Sequence, residues 1–316
     1  MVEPKMYSYA DFPTNEASIE GMKVIEGDIE KLNIKWFENV EYKGRGDKKL
    51  YLQVLVPNTV DDHVFVSPTP IKSAKPWPII IYIPGSGWHK QNINEAVIRL
   101  SKIAERGFVV ALVQYRPSED GGIFPAQILD AKAAVKFMKE HADYYSADPN
   151  EIVIWGDSSG GHTALMTAFT GEEQLIDRED CKFNYDCSVR GVINYYGAVD
   201  ISKMNEELSI LDHRGADSPE GFWLGHKSVL QNMELVEPTV VTNYISKTKD
   251  IPPVLTFHGD KDRVVPITQS ILLYETLKNA GKDITFYKII GGDHGGPSFW
   301  TDSVLDIVEK FIRGVI

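Results

Sequence analysis

A serine with a glycine two residues away on either side, Gly156-Asp157-Ser158-Ser159-Gly160, follows the apolar run Ile152-Val153-Ile154-Trp155 and leads into Ala164-Leu165-Met166-Thr167-Ala168. Strand, sharp turn and helix with a serine at the apex make a nucleophile elbow. The turn is so tight that side chains at the glycine positions would collide. The serine must take a strained backbone conformation that lifts its hydroxyl clear of the strand.

A serine hydroxyl is a weak nucleophile until a base takes its proton, and that base needs an orienting acid. Both lie downstream. The strand-like Pro253-Val254-Leu255-Thr256-Phe257 runs into His258-Gly259-Asp260-Lys261-Asp262-Arg263, and Ile284-Thr285-Phe286-Tyr287-Lys288-Ile289-Ile290 ends in Gly291-Gly292-Asp293-His294-Gly295-Gly296. The two loops leave neighbouring strand ends, so Asp262 and His294 can meet. Asp260 competes for the acid's place and could instead cap the turn; Asp262 is preferred. His294 stands out among the histidines because its glycine neighbours make an exposed loop with no packing duty. His258 is read as holding its turn, and His162, on the first turn after the elbow, as structural.

The developing oxyanion needs backbone N–H donors. One is expected from Ser159, the residue after the nucleophile. The other is expected from Pro84-Gly85-Ser86-Gly87-Trp88, which follows the most hydrophobic strand candidate, Pro78-Ile79-Ile80-Ile81-Tyr82-Ile83. Ser86 and Gly87 are the candidates there.

Together with Tyr115-Arg116-Pro117-Ser118, Phe124-Pro125-Ala126-Gln127 and Asp148-Pro149, these landmarks make the chain from Glu38 onward resemble the α/β-hydrolase esterases of the hormone-sensitive-lipase and acetyl-xylan/feruloyl-esterase type. The resemblance implies an α/β fold with a mostly parallel central sheet, flanking helices and an inserted cap. It also implies Ser158 as nucleophile, Asp262 as acid and His294 as base, acting on acetyl or hydroxycinnamoyl esters of plant-derived sugars. One departure is plain: such esterases usually carry His-Gly-Gly-Gly-Trp where this chain has Pro84-Gly85-Ser86-Gly87-Trp88, so the loop's internal hydrogen bonding must differ.

The elements that must position these groups are readable around them. Residues 1–35 read as an extension, part helical, packing over the site or against a second subunit, so a homodimer is one expectation. Strands near Phe37–Tyr42 and Leu50–Val56 form an antiparallel pair. Alternating strands and helices, the latter near 92–106, 125–145 and 159–170, build the parallel core from 78 to 198. Between Asp200 and Asp250 no clear strand occurs, and this is the expected cap, within a hydrolase domain spanning 36–316. Its Trp223, with Trp88, is a candidate for shaping the substrate pocket.

Composition narrows the classes. Hydrophobic residues make up 43% of 316, ample for a buried sheet. A net charge of −12 argues against nucleic acid and anionic membranes. No apolar run reaches membrane length, and no signal-peptide core is visible, which sets a cytoplasmic expectation. Cys181 and Cys187 are the only cysteines, read as two thiols with a local disulfide as the alternative. No Cys/His grouping has zinc-site spacing, and the chemistry calls for neither metal nor cofactor. The trypsin-like order of His and Asp before Ser is excluded, and 316 residues leave no room for a prolyl-oligopeptidase propeller. An arylformamidase, a small serine peptidase and a non-catalytic binding module on the same fold remain the alternatives to a serine carboxylesterase.

Overall fold

Unbroken apolar runs become the centre of one eight-stranded sheet. The computed structural model describes residues 3, 5, 7, 11–28, 31–45, 48–58, 75–171 and 185–316. Its strands are β1 (Asn33–Arg45), β2 (Lys48–Asn58), β3 (Trp77–Ile83), β4 (Val109–Val113), β5 (Ala147–Asp157), β6 (Gly191–Tyr195), β7 (Val254–Gly259) and β8 (Ile284–Ile289). They lie in the order β1-β2-β4-β3-β5-β6-β7-β8. The β1/β2 and β2/β4 pairs are antiparallel, and every pair from β4 to β8 is parallel.

Strands covered on both faces need apolar residues at every position. β4 is buried throughout, and β3 is buried from Pro78 to Ile83. Alternate side chains go to opposite faces. Ile79, Ile81, Ile152 and Ile154 meet α2 (Ala126–Glu140), α3 (Ser159–Thr170) and α6 (Thr268–Asn279) through Val135, Leu165 and Leu273. Ile80, Tyr82, Val153 and Trp155 meet α1 (Val97–Ala104) and α7 (Asp302–Val315) through Leu100, Ile103, Leu305 and Val308.

The order reverses at β3, which has β4 on one side and β5 on the other. Ligands of open parallel sheets bind outside the carboxyl ends of the strands at such a switch point. Here Ile83 pairs with Gly156, which sets the loop after β3 beside the turn after β5. Gly259 pairs with Ile289, which does the same for the loops after β7 and β8.

Several expectations are corrected. No helix occurs among the described residues of 1–35, and β1 starts at Asn33. The 92–106 helix is confined to Val97–Ala104. The 125–145 helix stops at Glu140, and Ala142–Tyr145 is a tighter 3₁₀ turn, closed by Ser146 at φ 50°. Cys181 lies outside the described residues; Cys187 is buried, and its thiol donates to Gly171 O at 3.3 Å.

Between β6 and β7 the chain forms only short helices, α4 (Pro219–Trp223) and α5 (Met233–Val236), and 3₁₀ turns. It has its own small core of Ile201, Met204, Trp223, Leu224, Val229 and Val236, closed by Trp88 from the loop after β3. No described helix is long and apolar enough to cross a membrane.

Candidate active site

The turn after β5 shows why its glycines are there. A Cβ on Gly156 would come within 2.1 Å of Gly160 O, and one on Gly160 within 2.0 Å of Ile83 O. Between them Ser158 adopts φ 53°, ψ −126°, a conformation L-residues rarely take. Such strain costs roughly 1–3 kcal/mol and persists only where its surroundings over-determine it. Here the Ser158 N–H donates to Tyr195 O at 2.9 Å, and Ser158 O accepts the His162 N–H at 3.1 Å.

The loops after β7 and β8 are locked together by close backbone approach. A Cβ on Gly259 would lie 2.2 Å from Gly292 O, and the Lys261 N–H donates to that same oxygen at 2.9 Å. Asp260 accepts the Gly291 N–H at 2.7 Å, a turn-stabilising bond at an exposed position. Asp262 instead points inward with its side chain fully buried, and Oδ1 accepts the Val264 and Val265 N–H groups, each at 2.9 Å. Its Oδ2 lies 2.8 Å from His294 Nδ1, and His294 Nε2 lies 2.9 Å from Ser158 Oγ. A carboxylate can only accept, so Nδ1 carries the proton and Nε2 is left to accept from the serine. His294 is 19% exposed rather than fully solvated. The Tyr196 ring packs edge-on against its imidazole at 4.7 Å.

Burial alone would raise the Asp262 carboxyl, but hydrogen bonds from His258 and His294 hold it well below the usual carboxylate range. His258 acts as a latch: its Nε2–H donates to Val265 O at 2.9 Å, its Nδ1 accepts from Ser270 Oγ at 2.7 Å, and its Nε2 sits 3.3 Å from Asp262 Oδ2.

The loop after β3 lies directly on the elbow. A Cβ on Gly85 would meet Asp157 O at 2.6 Å and Ser158 Cβ at 2.7 Å. Asp157 Oδ1 accepts from the Gly85 N–H (3.0 Å) and from the Tyr82 hydroxyl (2.7 Å). The Tyr115 hydroxyl lies 2.9 Å from both Pro84 O and Ser86 Oγ, and Ser86 Oγ donates to His89 O at 2.7 Å. These bonds fix the Pro-Gly-Ser-Gly loop. They also revise one expectation: the Ser86 N–H donates to Ser159 Oγ at 3.0 Å, so it is spoken for. The N–H groups of Gly87 and Ser159 have no protein acceptor among the described residues. No role was read from the sequence for Asp157, Tyr82, Tyr115 or Tyr196. Asp157 sits inside the elbow motif, but the tyrosines come from three other strand ends and converge only through the sheet order.

Residues 68–277 match the BD-FAE family model, about two thirds of the chain. The chain belongs to the BD-FAE family. Among curated proteins it is similar to esterase LipC of Mycobacterium tuberculosis, 26% identical over 225 residues, covering 70% of this chain and 53% of that one. The chain spans about half the length of the curated relatives it matches. Among solved structures it is similar to a truncated form of a carbohydrate esterase from gut microbiota, with TM-score 0.75 and 27% identity over 91% of this chain and 98% of the other. A bifunctional GH43-CE of Bacteroides eggerthii gives TM-score 0.72 and 27% identity, over 88% of this chain and 38% of that one. The fold is that of the α/β-hydrolase esterases.

In this BD-FAE member the serine opens into a cleft of about 630 Å³. Met204, Leu211, Val264 and Val265 make an apolar side, and Lys90, Gln91, Asn92, Glu95 and Arg99 a polar one. Trp88 lines this cleft although it is only 1% exposed. Trp223 does not line it, which corrects its assignment to the substrate pocket. Its ring is fully buried, stacks on Trp88 at 4.1 Å and donates through Nε1 to Gln127 at 2.8 Å. His162 closes the stack edge-on, with Nε2–H donating to Thr239 O at 2.8 Å. A buried His213–Glu220 pair, 2.8 Å apart, stands at the cleft wall; burial lowers the imidazole's pKa, but Glu220, with the Val264 carbonyl and Asp212, raises it overall.

Proposed function

We propose that this chain is a serine carboxylesterase that cleaves short-acyl or hydroxycinnamoyl esters of plant-derived sugars through an acyl-enzyme. The observation that carries this reading is the relay from buried Asp262 through His294 to Ser158, with contacts of 2.8 and 2.9 Å. The strained serine backbone supports it, because strain at an apex is retained where it serves a site. So do relatives named as esterases and a neighbour named as a carbohydrate esterase.

In this mechanism Ser158 Oγ attacks the ester carbonyl as its proton passes to His294 Nε2. Asp262 holds the imidazole in the required tautomer and faces the imidazolium that forms. The carbonyl oxygen becomes an oxyanion, met by the N–H groups of Gly87 and Ser159, the latter at the start of α3. Collapse of the adduct breaks the ester C–O bond, and the leaving alcohol takes the proton from Nε2. Water then attacks the acyl-serine by the same route, releasing the acid and restoring Ser158. The segment 200–250 acts as a cap whose Met204 and Leu211 contact the acyl group.

Ser158→Ala is the direct test. Turnover of p-nitrophenyl acetate, methyl ferulate and acetylated xylo-oligosaccharides should vanish with an unchanged fold. A phosphonate probe should mark wild type at Ser158 alone. Full activity in the variant, or labelling at Ser159, would overturn the assignment.

A further inference from the structure

A second cleft, of about 570 Å³, opens beside the catalytic one, and Lys90 belongs to the walls of both. Among the described residues, its lining carries Lys43, Lys48, Lys49, Lys90 and Arg116 against a single carboxylate, Asp120. That is an inversion of sign in a chain of net charge −12.

The cations of the cleft differ in how they are held. Fully buried Asp130 is shared by two of these cations, with Lys43 Nζ at 2.8 Å and Arg116 Nε at 2.9 Å. Lys49 is matched by Glu41 at 2.8 Å. Lys48 and Lys90 have no carboxylate within ion-pair distance among the described residues. Concave sites lined by one sign of charge concentrate ligands of the other.

The wall between the clefts contains the loop that would hold the oxyanion, because Tyr115 lines the second cleft and its hydroxyl touches Pro84 O and Ser86 Oγ. Lys90 is common to the two clefts, so a chain of sugars lying along the polar side of the catalytic cleft would reach the second one past it.

We infer that the second cleft is a subsite for a carboxylate-bearing sugar, a uronic acid, on the glycan that flanks the scissile ester. This rests on the carbohydrate-ester reading above. Lys48 and Lys90 supply the charge. Buried Asp130 anchors Lys43 and Arg116 at the floor. The effect of each exposed lysine is modest, since an exposed ion pair contributes at most about 1 kcal/mol, or roughly fivefold in affinity, and is screened by salt.

The test separates binding from hydrolysis. De-esterified oligosaccharides, identical except for one uronic acid residue, are titrated calorimetrically into wild type, Lys48→Glu and Lys48→Arg, alongside free glucuronic acid. KM is measured for their acetylated forms, with p-nitrophenyl acetate as reference. The acidic glycan should bind wild type about fivefold tighter than the neutral one at low ionic strength. Lys48→Glu should erase that preference with p-nitrophenyl acetate turnover unchanged, Lys48→Arg should keep it, and added salt should abolish it. Equal binding of the two glycans to wild type, or an intact preference in Lys48→Glu, would overturn the subsite. Free glucuronic acid binding as tightly as the acidic glycan would overturn its place as an extension of the substrate cleft. Should no ester be hydrolysed, the esterase reading fails, while the calorimetric comparison still decides whether the cleft takes a uronate.

Discussion

At the scale of single residues, Asp260 and Asp262 show what two positions along a loop can decide. Both carboxylates are held by backbone N–H groups, yet only Asp262 is buried and aimed at an imidazole. Asp262→Asn would present an amide where a carboxylate fixes the tautomer, and loss of that role costs about 10⁴-fold in kcat in a serine protease. Asp260→Asn keeps an acceptor for Gly291 and should leave kcat near wild type, with a stability change within about 0.5 kcal/mol. Steady-state kinetics on p-nitrophenyl acetate checks the ranking, and the reverse order would move the acid to Asp260. That Ser158, Asp262 and His294 could meet was legible in the sequence because each sits just past an apolar run, with glycines on both sides of Ser158 and His294 and Gly259 ahead of Asp262. Ser86 was legible only as a small residue in the right loop. Which way its N–H points depends on the Ser159 hydroxyl, and no local pattern encodes that contact.

At the scale of elements, the site depends on how tightly three backbones meet. Gly160 touches the end of β3 so closely that a methyl group would overlap the carbonyl of Ile83 at 2.0 Å. Gly160→Ala must therefore part α3 from β3, a disruption expected to exceed about 4 kcal/mol. Gly314→Ala, in α7 with nothing within 4 Å of the new methyl, should instead be neutral or up to about 1 kcal/mol stabilising. Urea unfolding curves for the pair separate a steric effect from a general intolerance of alanine. The buried strands were legible because parallel strands covered on both faces leave long apolar runs. The end of α2 was not. Apolar spacing continues to Tyr145, but the His141 ring turns back to stack on Phe137 at 4.0 Å, and the chain tightens there. The 1–35 segment, read as part helical, instead exposes Ile19, Val24 and Ile25 on irregular backbone.

Across the whole molecule, one buried titratable group ties stability to pH. His162, on the first turn of α3, packs edge-on against the Trp88–Trp223 stack, and burial pushes its imidazole down to about 4, against a Thr239 carbonyl contact that opposes the shift. In the unfolded chain it titrates near ~6.5. Between these values the unfolded state binds the extra proton, so stability is complete above about pH 6.5 and is lost as the pH falls toward 4. The loss amounts to about 3 kcal/mol at most. His162→Gln, whose amide can still donate to Thr239 O, should flatten that part of the profile in urea titrations at pH 4.5 and 7. An unchanged slope would mean that other groups set it. The family-level architecture was legible from the order of motifs. The second cleft was not, because its lysines and Arg116 come from the β1–β2 hairpin and from loops after β3 and β4, and only the sheet order brings them together.

The order of parts along the chain has a further consequence. The serine and the loop beneath it belong to strands complete by Tyr195, whereas the imidazole and its carboxylate arrive only with β7 and β8, after a segment of short helices and turns. On the proposed mechanism the elbow leaves the ribosome before the imidazole that would draw off its proton, so the nascent chain should be silent toward esters. Severing the chain near residue 248 would divide the machinery into two inert pieces, 1–248 and 249–316, so any hydrolysis seen on mixing them would report that the last two strands had docked in register against β6.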